Sequence, residues 1–268
     1  MKLFLFSFSL FLVTLQQCLA EQSQTITLYA YHNAPPFVIN AAADKGLNYD
    51  FLKALQSHAP SNIHFQYQYI ERPQLNQRLI AGLPTIALWA NPVWFNDSEQ
   101  KKYLWSRPLF SDKDVVVAKK QSSLQYYSPS DLSGLTIGVR KGYYYAGVSE
   151  LMSSEEIIRK DAASDKGNIE QLMRGDVDAI IISKSSFFYY AKLLKVISAT
   201  AIVGQPHSSY KRHLLISHHY QAQEQAINDA LLKLSKDENW RFRLTIYGLQ
   251  ELWGSGAPAL SLPPSLTP

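Results

Sequence analysis

Apolar and polar residues alternate over 25–31 (TITLYAY) and again over 63–70 (IHFQYQYI), the two-residue period of a half-buried strand. Between them, the turn-forming HNAPPF and an Asp44-Lys45-Gly46 turn lead into helical spacing over 49–57. Pro73 stands where a helix can begin, and Leu75, Leu79 and Ile80 give one apolar face that stops at Gly82. An apolar run over 85–88 and a β-branched run over 115–117 predict two buried strands. They bracket a loop that carries Trp89, Trp94, Phe95, Trp105 and Phe110 beside Asn91, Pro92 and Pro108. So much rigid apolar area at the carboxyl end of a strand predicts the wall of a ligand crevice, with Trp89 and Trp94 in the wall and Trp105 and Phe110 in the core.

After residue 120 the pattern restarts. A polar linker over 121–130 and a DLSG turn precede a strand over 135–139, and RKGYYYAG leads to a helix over 144–151. A short strand over 157–159, a helix over 166–174 ended by Gly175, a strand over 179–182 and an aromatic helix over 185–194 follow. The segment 202–207, a strand over 214–217 and helical patterns over 222–236 and 239–247 complete the order. Strands alternating with helices of this length predict an α/β fold with parallel sheets and the loops gathered at one sheet edge. The last residues, 254–268, are rich in Pro, Ser and Gly and predict a disordered tail.

Composition adds a compartment. Residues 1–20 have one cation at Lys2, an apolar run over 3–15 and a small Ala20 before Glu21, the pattern of a cleavable secretory signal peptide. The apolar run is shorter than the ~20 residues a membrane-spanning helix needs, so the expectation is export to the periplasm. Cys18 is the only cysteine and lies inside the leader. Bulky Leu15, Gln16 and Gln17 before it favour cleavage after Ala20 over lipid anchoring, and the mature chain then has no thiol or disulfide chemistry. A formal charge of +4, lowered by one when Lys2 is removed, is too weak and too evenly spread to predict nucleic-acid binding.

The order of PPF, SRPLF, DLSGLTIGVRKG, LMRGDVDAIIIS and the closing KDENW helix resembles the bacterial extracellular solute-binding proteins of family 3, the polar-amino-acid type, over nearly the whole mature chain. The resemblance implies a two-lobed type II periplasmic-binding-protein fold with two crossover hinge strands. Lobe one is then 21–114 with 208–253, lobe two 118–204, and the hinge 115–117 with 205–207. It also implies a monomer that closes on a small-molecule solute without catalysis, with no cofactor or metal. The partner would be an inner-membrane permease of an ABC-type transporter, or alternatively a membrane sensor.

Two departures from the family pattern bear on the ligand. In the family, a segment after the third strand supplies an arginine for a ligand α-carboxylate. In NDSEQKKYLWSRPLF that place falls at or near Glu99. A lobe-two aspartate for the α-ammonium is likewise replaced, because DAIIIS ends on Ser183. A buried zwitterion without partners costs several kcal/mol, which argues against a free α-amino acid held in the usual way. Gly142 matches the glycine that opens the lobe-two helix, but Tyr143, Tyr144 and Tyr145 follow it where small residues are usual. The expected ligand-binding set is therefore His32, Phe37, Trp89, Asn91, Trp94, Arg140, Tyr143, Tyr144 and Ser183, suited to a flat or apolar solute or to a cation over rings. Alternatives are a cyclohexadienyl-dehydratase-like enzyme using Glu99 with Arg107 or Arg140, and ferric ligation by Tyr143–Tyr145 or by Tyr189 and Tyr190. His218 with His219 is read as surface, and Glu155, Glu156, Asp161 and Asp165 as a solvated face.

Overall fold

A computed structural model describes residues 23–247 and 249; the leader and the tail after 253 discussed above lie outside the described residues. The first half runs β1 (Gln24–Ala30), α1 (Leu47–Gln56), β2 (Ile63–Tyr69), α2 (Arg72–Ile80), β3 (Ile86–Ala90) and a two-residue β4 (Leu104–Trp105). Then β5 (Phe110–Lys119) leads to β6 (Thr136–Arg140), α3 (Val148–Ser153), β7 (Ile158–Ala162), α4 (Asp165–Arg174), β8 (Ala179–Ser183), α5 (Lys184–Leu193) and β9 (Thr200–Ile202). The chain returns along β10 (Ser208–Ile216) and ends in α6 (Glu224–Lys236) and α7 (Glu238–Ile246).

The strand order is β2-β1-β3-β10-β5-β8-β6-β7. β1 is parallel to β2 and β3, and β6 is parallel to β7 and β8. β5 and β10 are antiparallel to each other, through Asp114 opposite Ser208 and Phe110 opposite Arg212. The sheet is thus mixed where alternation alone predicted parallel strands. One strand carries the chain from the first lobe to the second and the other carries it back, so the two must run in opposite directions. β10 also runs from a partly exposed stretch into a buried one. The first half of β10, SSYKR, alternates in burial and the second half is wholly buried, so only the apolar end, 214–217, was visible as a strand.

Two packed lobes result. One core gathers Ile26, Phe51, Leu88, Phe110, Leu214 and Trp240; the second half of the chain forms its own cores on the two faces of β5, β6 and β8, around Val116, Ile137 and Ile181 on one and Val117, Ile169 and Ile180 on the other. At full burial each such side chain contributes about 1.5–3 kcal/mol. The helix expected over 144–151 begins only at Val148, because Gly147 before it has φ of 79° and breaks the helical geometry. His218 and His219 open a 3-10 helix ahead of α6, and both are exposed. Gly204, at φ of 66°, brings the return segment against 126–127: a Cβ there would lie 2.0 Å from the Tyr126 carbonyl oxygen. Among the described residues no helix is long and apolar enough to cross a membrane.

Candidate binding site

β3 leaves its sheet through a bulge. His213 on β10 faces Ala90 and Leu215 faces Ala87, so β3 fits two residues where its partner has one. Leu88 and Trp89 consequently share the core side, while Ala87 and Ala90 face the other. Trp89 takes φ of 59°, rare for a bulky side chain. Its ring is fully buried, donates from Nε1 to Asn48 Oδ1 at 2.6 Å, and packs 4.8 Å from Phe51 and 5.1 Å from Phe110. The expectation that Trp89 lines a crevice is therefore corrected: the bulge turns the ring inward. What it turns outward is the carbonyl, which accepts from Arg212 Nη1 at 3.3 Å and from the Tyr31 hydroxyl at 3.4 Å.

Asn91 is also not at the crevice. It caps the next 3-10 turn, accepting from Val93 N at 3.0 Å and donating to the Lys211 carbonyl at 2.8 Å, and it borders a separate shallow hollow. Its work is to aim Trp94, one turn on. The rest of the aromatic loop is gathered by Asp97, which accepts three backbone N–H groups and Trp105 Nε1.

A cleft of about 630 Å³ lies where the two lobes meet β5 and β10. His32, Phe37 and Trp94 line it from the first lobe, and Arg140, Tyr143, Tyr144 and Ser183 from the second. Seven of the nine expected side chains thus share one cavity. The tyrosine run divides by position: Tyr143 and Tyr144 are exposed at the rim, the latter hydrogen-bonded to Glu150, while Tyr145 is buried against His207 with its rings 5.7 Å apart. Ser183 caps α5, and Ser186 one turn on donates across the lobes to the Pro35 carbonyl at 3.2 Å.

The cleft also carries charges other than the expected Arg140, which the sequence did not reveal. Arg212 is 4% exposed and sits at its floor. Its guanidinium donates to His32 Nε2 at 2.8 Å, pairs with Asp112 at 3.6 Å, and lies 5.0–5.2 Å from the rings of Phe37, Tyr210 and Trp94. Burial holds the His32 imidazole well below its ordinary pKa, so it is neutral and accepts this bond. Asp112 is held in turn by the Ser185 hydroxyl at 2.7 Å, which ties the floor to the start of α5. Arg72, at the start of α2, stacks 3.9 Å above Phe95 and donates to Asn76 Oδ1 at 3.0 Å.

Two carboxyl groups face these cations. Asp114 accepts from Ser208 Oγ at 2.9 Å and the Tyr210 hydroxyl at 3.2 Å, and forms no ion pair among the described residues. Burial pushes its pKa up to about 6. Asp165, at the start of α4, pairs with Arg140 at 3.6 Å, and burial raises it too. Asp165 is thus a cleft residue and not part of a solvated face, whereas Glu155 and Glu156 are exposed as expected. Glu99 is exposed, pairs with Lys101, and is not among the cleft-lining residues, so the acid–cation pairing weighed for a dehydratase is not assembled. The inference that the cleft lacks an ion-pairing set is likewise corrected. The charges sit on β5, β10, the end of β6 and the first turns of α2 and α4 instead of at 99 and 183.

No family model matches the chain, and no curated protein matches it in sequence. Solved structures do match in shape. An ancestral arginine-binding protein bound to arginine aligns at 19% identity over 83% of this chain and 97% of its own, with a TM-score of 0.62. A mutant of ArgBP from T. maritima aligns at 17% identity over 84% and 95%, with a TM-score of 0.60. The periplasmic domain of B. pertussis BvgS aligns at 16% identity over 84% of this chain and 43% of its own, with a TM-score of 0.64. The chain has the two-lobed type II periplasmic-binding-protein fold, with β5 and β10 as its two crossover strands.

Proposed function

We propose that the protein is a periplasmic solute-binding protein that holds one small solute of mixed charge, carrying a flat or apolar part, between its lobes and delivers it to an inner-membrane permease of the ABC type. The observation that carries this reading is the cleft floor, where a buried guanidinium with ring neighbours, Arg212, and a half-buried carboxyl that forms no ion pair among the described residues, Asp114, stand on adjacent antiparallel strands. An anionic group of the solute pairs with Arg212 or Arg72, a cationic group replaces the missing partner of Asp114, and Trp94 and Tyr143 cover the remainder. This arrangement replaces the arginine and aspartate of the family pattern with groups at other positions. Because β5 and β10 belong to both lobes, a solute on them is desolvated as the lobes close, and closure is limited by its differential affinity for the closed form. The likeness to proteins that bind arginine, and to a structure described as the substrate-binding protein of an amino acid ABC transporter, supports solute binding without turnover.

Calorimetry with L-phenylalanine, 3-phenylpropanoate and phenethylamine tests the charge requirement, because the three share a ring and differ in charge. The zwitterion is expected to bind at least about tenfold more tightly than either singly charged compound, a difference of about 1.4 kcal/mol. Equal binding of all three, or a change in mass of the bound compound on incubation, overturns the reading. A second reading is that the closed lobes are presented to a membrane sensor. Its support is the likeness to the BvgS periplasmic domain, 43% of whose chain aligns with this one.

A further inference from the structure

Three arginines line the cleft, Arg72, Arg140 and Arg212, and they differ in what already engages them. Arg140 is paired with Asp165 at 3.6 Å. Arg212 is paired with the buried Asp112, and its Nη1 is engaged by His32 and by the Trp89 carbonyl. The Arg212 Nε is buried without a hydrogen-bond partner among the described residues, which seals it from the cavity. A solute anion brought to Arg212 would therefore meet a cation already neutralised, with the Asp112 carboxylate repelling it in a poorly solvated floor.

Arg72 is in the opposite condition. It is half-buried, and among the described residues it forms no ion pair. Its Nε donates to Asn76 Oδ1 at 3.0 Å, its Nη2 donates to the Trp94 carbonyl, and its Nη1 has no hydrogen-bond partner among the described residues. The Phe95 ring lies 3.9 Å from the guanidinium and the Tyr31 ring 5.1 Å. All of these partners are neutral. They fix the plane of the guanidinium without cancelling its charge, the state in which a carboxylate gains most from it. The neighbouring Glu71 also lines the cleft, but its carboxylate accepts from the Tyr69 hydroxyl at 2.6 Å and forms no ion pair with Arg72.

We propose that Arg72 is the specificity-determining cation of the cleft, the one that admits solutes carrying a carboxylate, and that Arg212 keeps Asp112 and shapes the floor without meeting that carboxylate. This role rests on the reading of a mixed-charge solute, and it selects one of the two arginines to which that reading gives the anion.

The test is calorimetry on the wild-type protein, Arg72→Gln, Arg72→Lys and Arg212→Lys with L-phenylalanine and phenethylamine, two probes that differ by the carboxylate. In the wild type L-phenylalanine is expected to bind at least about tenfold more tightly. Arg72→Gln is expected to weaken L-phenylalanine by about tenfold or more and to leave phenethylamine within about twofold, so that the preference disappears. Arg72→Lys, which keeps the charge, restores part of it. Because Arg72 also holds the Trp94 carbonyl, a merely structural role would weaken both probes alike, and that result overturns the proposal. Arg212→Lys is expected to lower the melting temperature and to weaken both probes by a similar factor. A carboxylate preference kept in Arg72→Gln, or lost in Arg212→Lys alone, overturns the role of Arg72 while the mixed-charge reading stands. A wild type without the preference overturns that reading itself, and the role of Arg72 with it.

Discussion

Two strand exits face each other across the cleft, and each carries aromatic residues that the sequence assigned to its walls. At the end of β3 the bulge places Leu88 and Trp89 on the same side, so the ring joins the core and the peptide carbonyl faces Arg212 and Tyr31. At the end of β6 no bulge intervenes. The chain turns at Gly142, at φ of 79°, and Tyr143 and Tyr144 stay at the rim. The same kind of signal, aromatic residues after a strand, thus has opposite outcomes. What differs between them is the bulge, which turns Trp89 onto Asn48 inside the core, whereas Tyr144 at the rim has the exposed Glu150.

This contrast predicts a graded series. Trp89→Ala should have the largest effect, a loss of about 3–5 kcal/mol in folding stability by denaturant titration, as for other buried aromatic truncations. A loss below about 1 kcal/mol would return Trp89 to the cleft wall. Asp112→Asn comes next, at about 2–3 kcal/mol, because Arg212 keeps its burial while losing its counter-charge. Tyr143→Ala is expected to change stability by less than about 1 kcal/mol while weakening solute binding by about 1–3 kcal/mol. Tyr144→Ala, at the more exposed position, should change stability by less than about 0.5 kcal/mol. Melting curves and affinities on the same four proteins separate the two exits.

Asp114 adds a pH dependence with a definite sign. Its folded pKa, about 6, lies above the ordinary carboxyl value of 3.8, so the folded state binds the proton more tightly. Its contribution to stability is complete below about pH 3.8 and is lost as pH rises through 6. Solute binding runs the other way, since a cationic group pairs with the carboxylate. Affinity for such a solute should fall as pH drops below 6. Asp114→Asn should flatten both profiles, and unchanged slopes in the variant would exclude Asp114 as their source.

The alternating and helical periods were enough to order nearly every element, because those patterns record burial directly. The exceptions have local causes. Half of β10 is polar and partly exposed, and the helix after β6 is delayed by the backbone at Gly147. In the cleft, aromatic residues and Arg140 were legible as residues after strands. Arg212 and Asp114 were not, since each sits inside a strand whose neighbours look like ordinary core or surface, and only the antiparallel pairing of β5 with β10 brings them together. Asp165 was hidden for a related reason: a run of acidic residues at 155–165 has one pattern, but α4 begins at its last member and turns that side chain toward Arg140. No period in the chain encodes a bulge, so Trp89 could be placed on its strand but not on its side.

The central claim is that the solute's cationic group rests on Asp114 at the floor of the cleft. The most direct measurement is calorimetric titration of the wild-type protein and Asp114→Asn, at pH 7, with the zwitterion that binds the wild type. The account predicts one site per molecule and a loss of about ten- to a hundredfold in affinity for the variant, about 1.4–2.8 kcal/mol, with its melting temperature at pH 7 not lowered. Equal affinity for both proteins would contradict it.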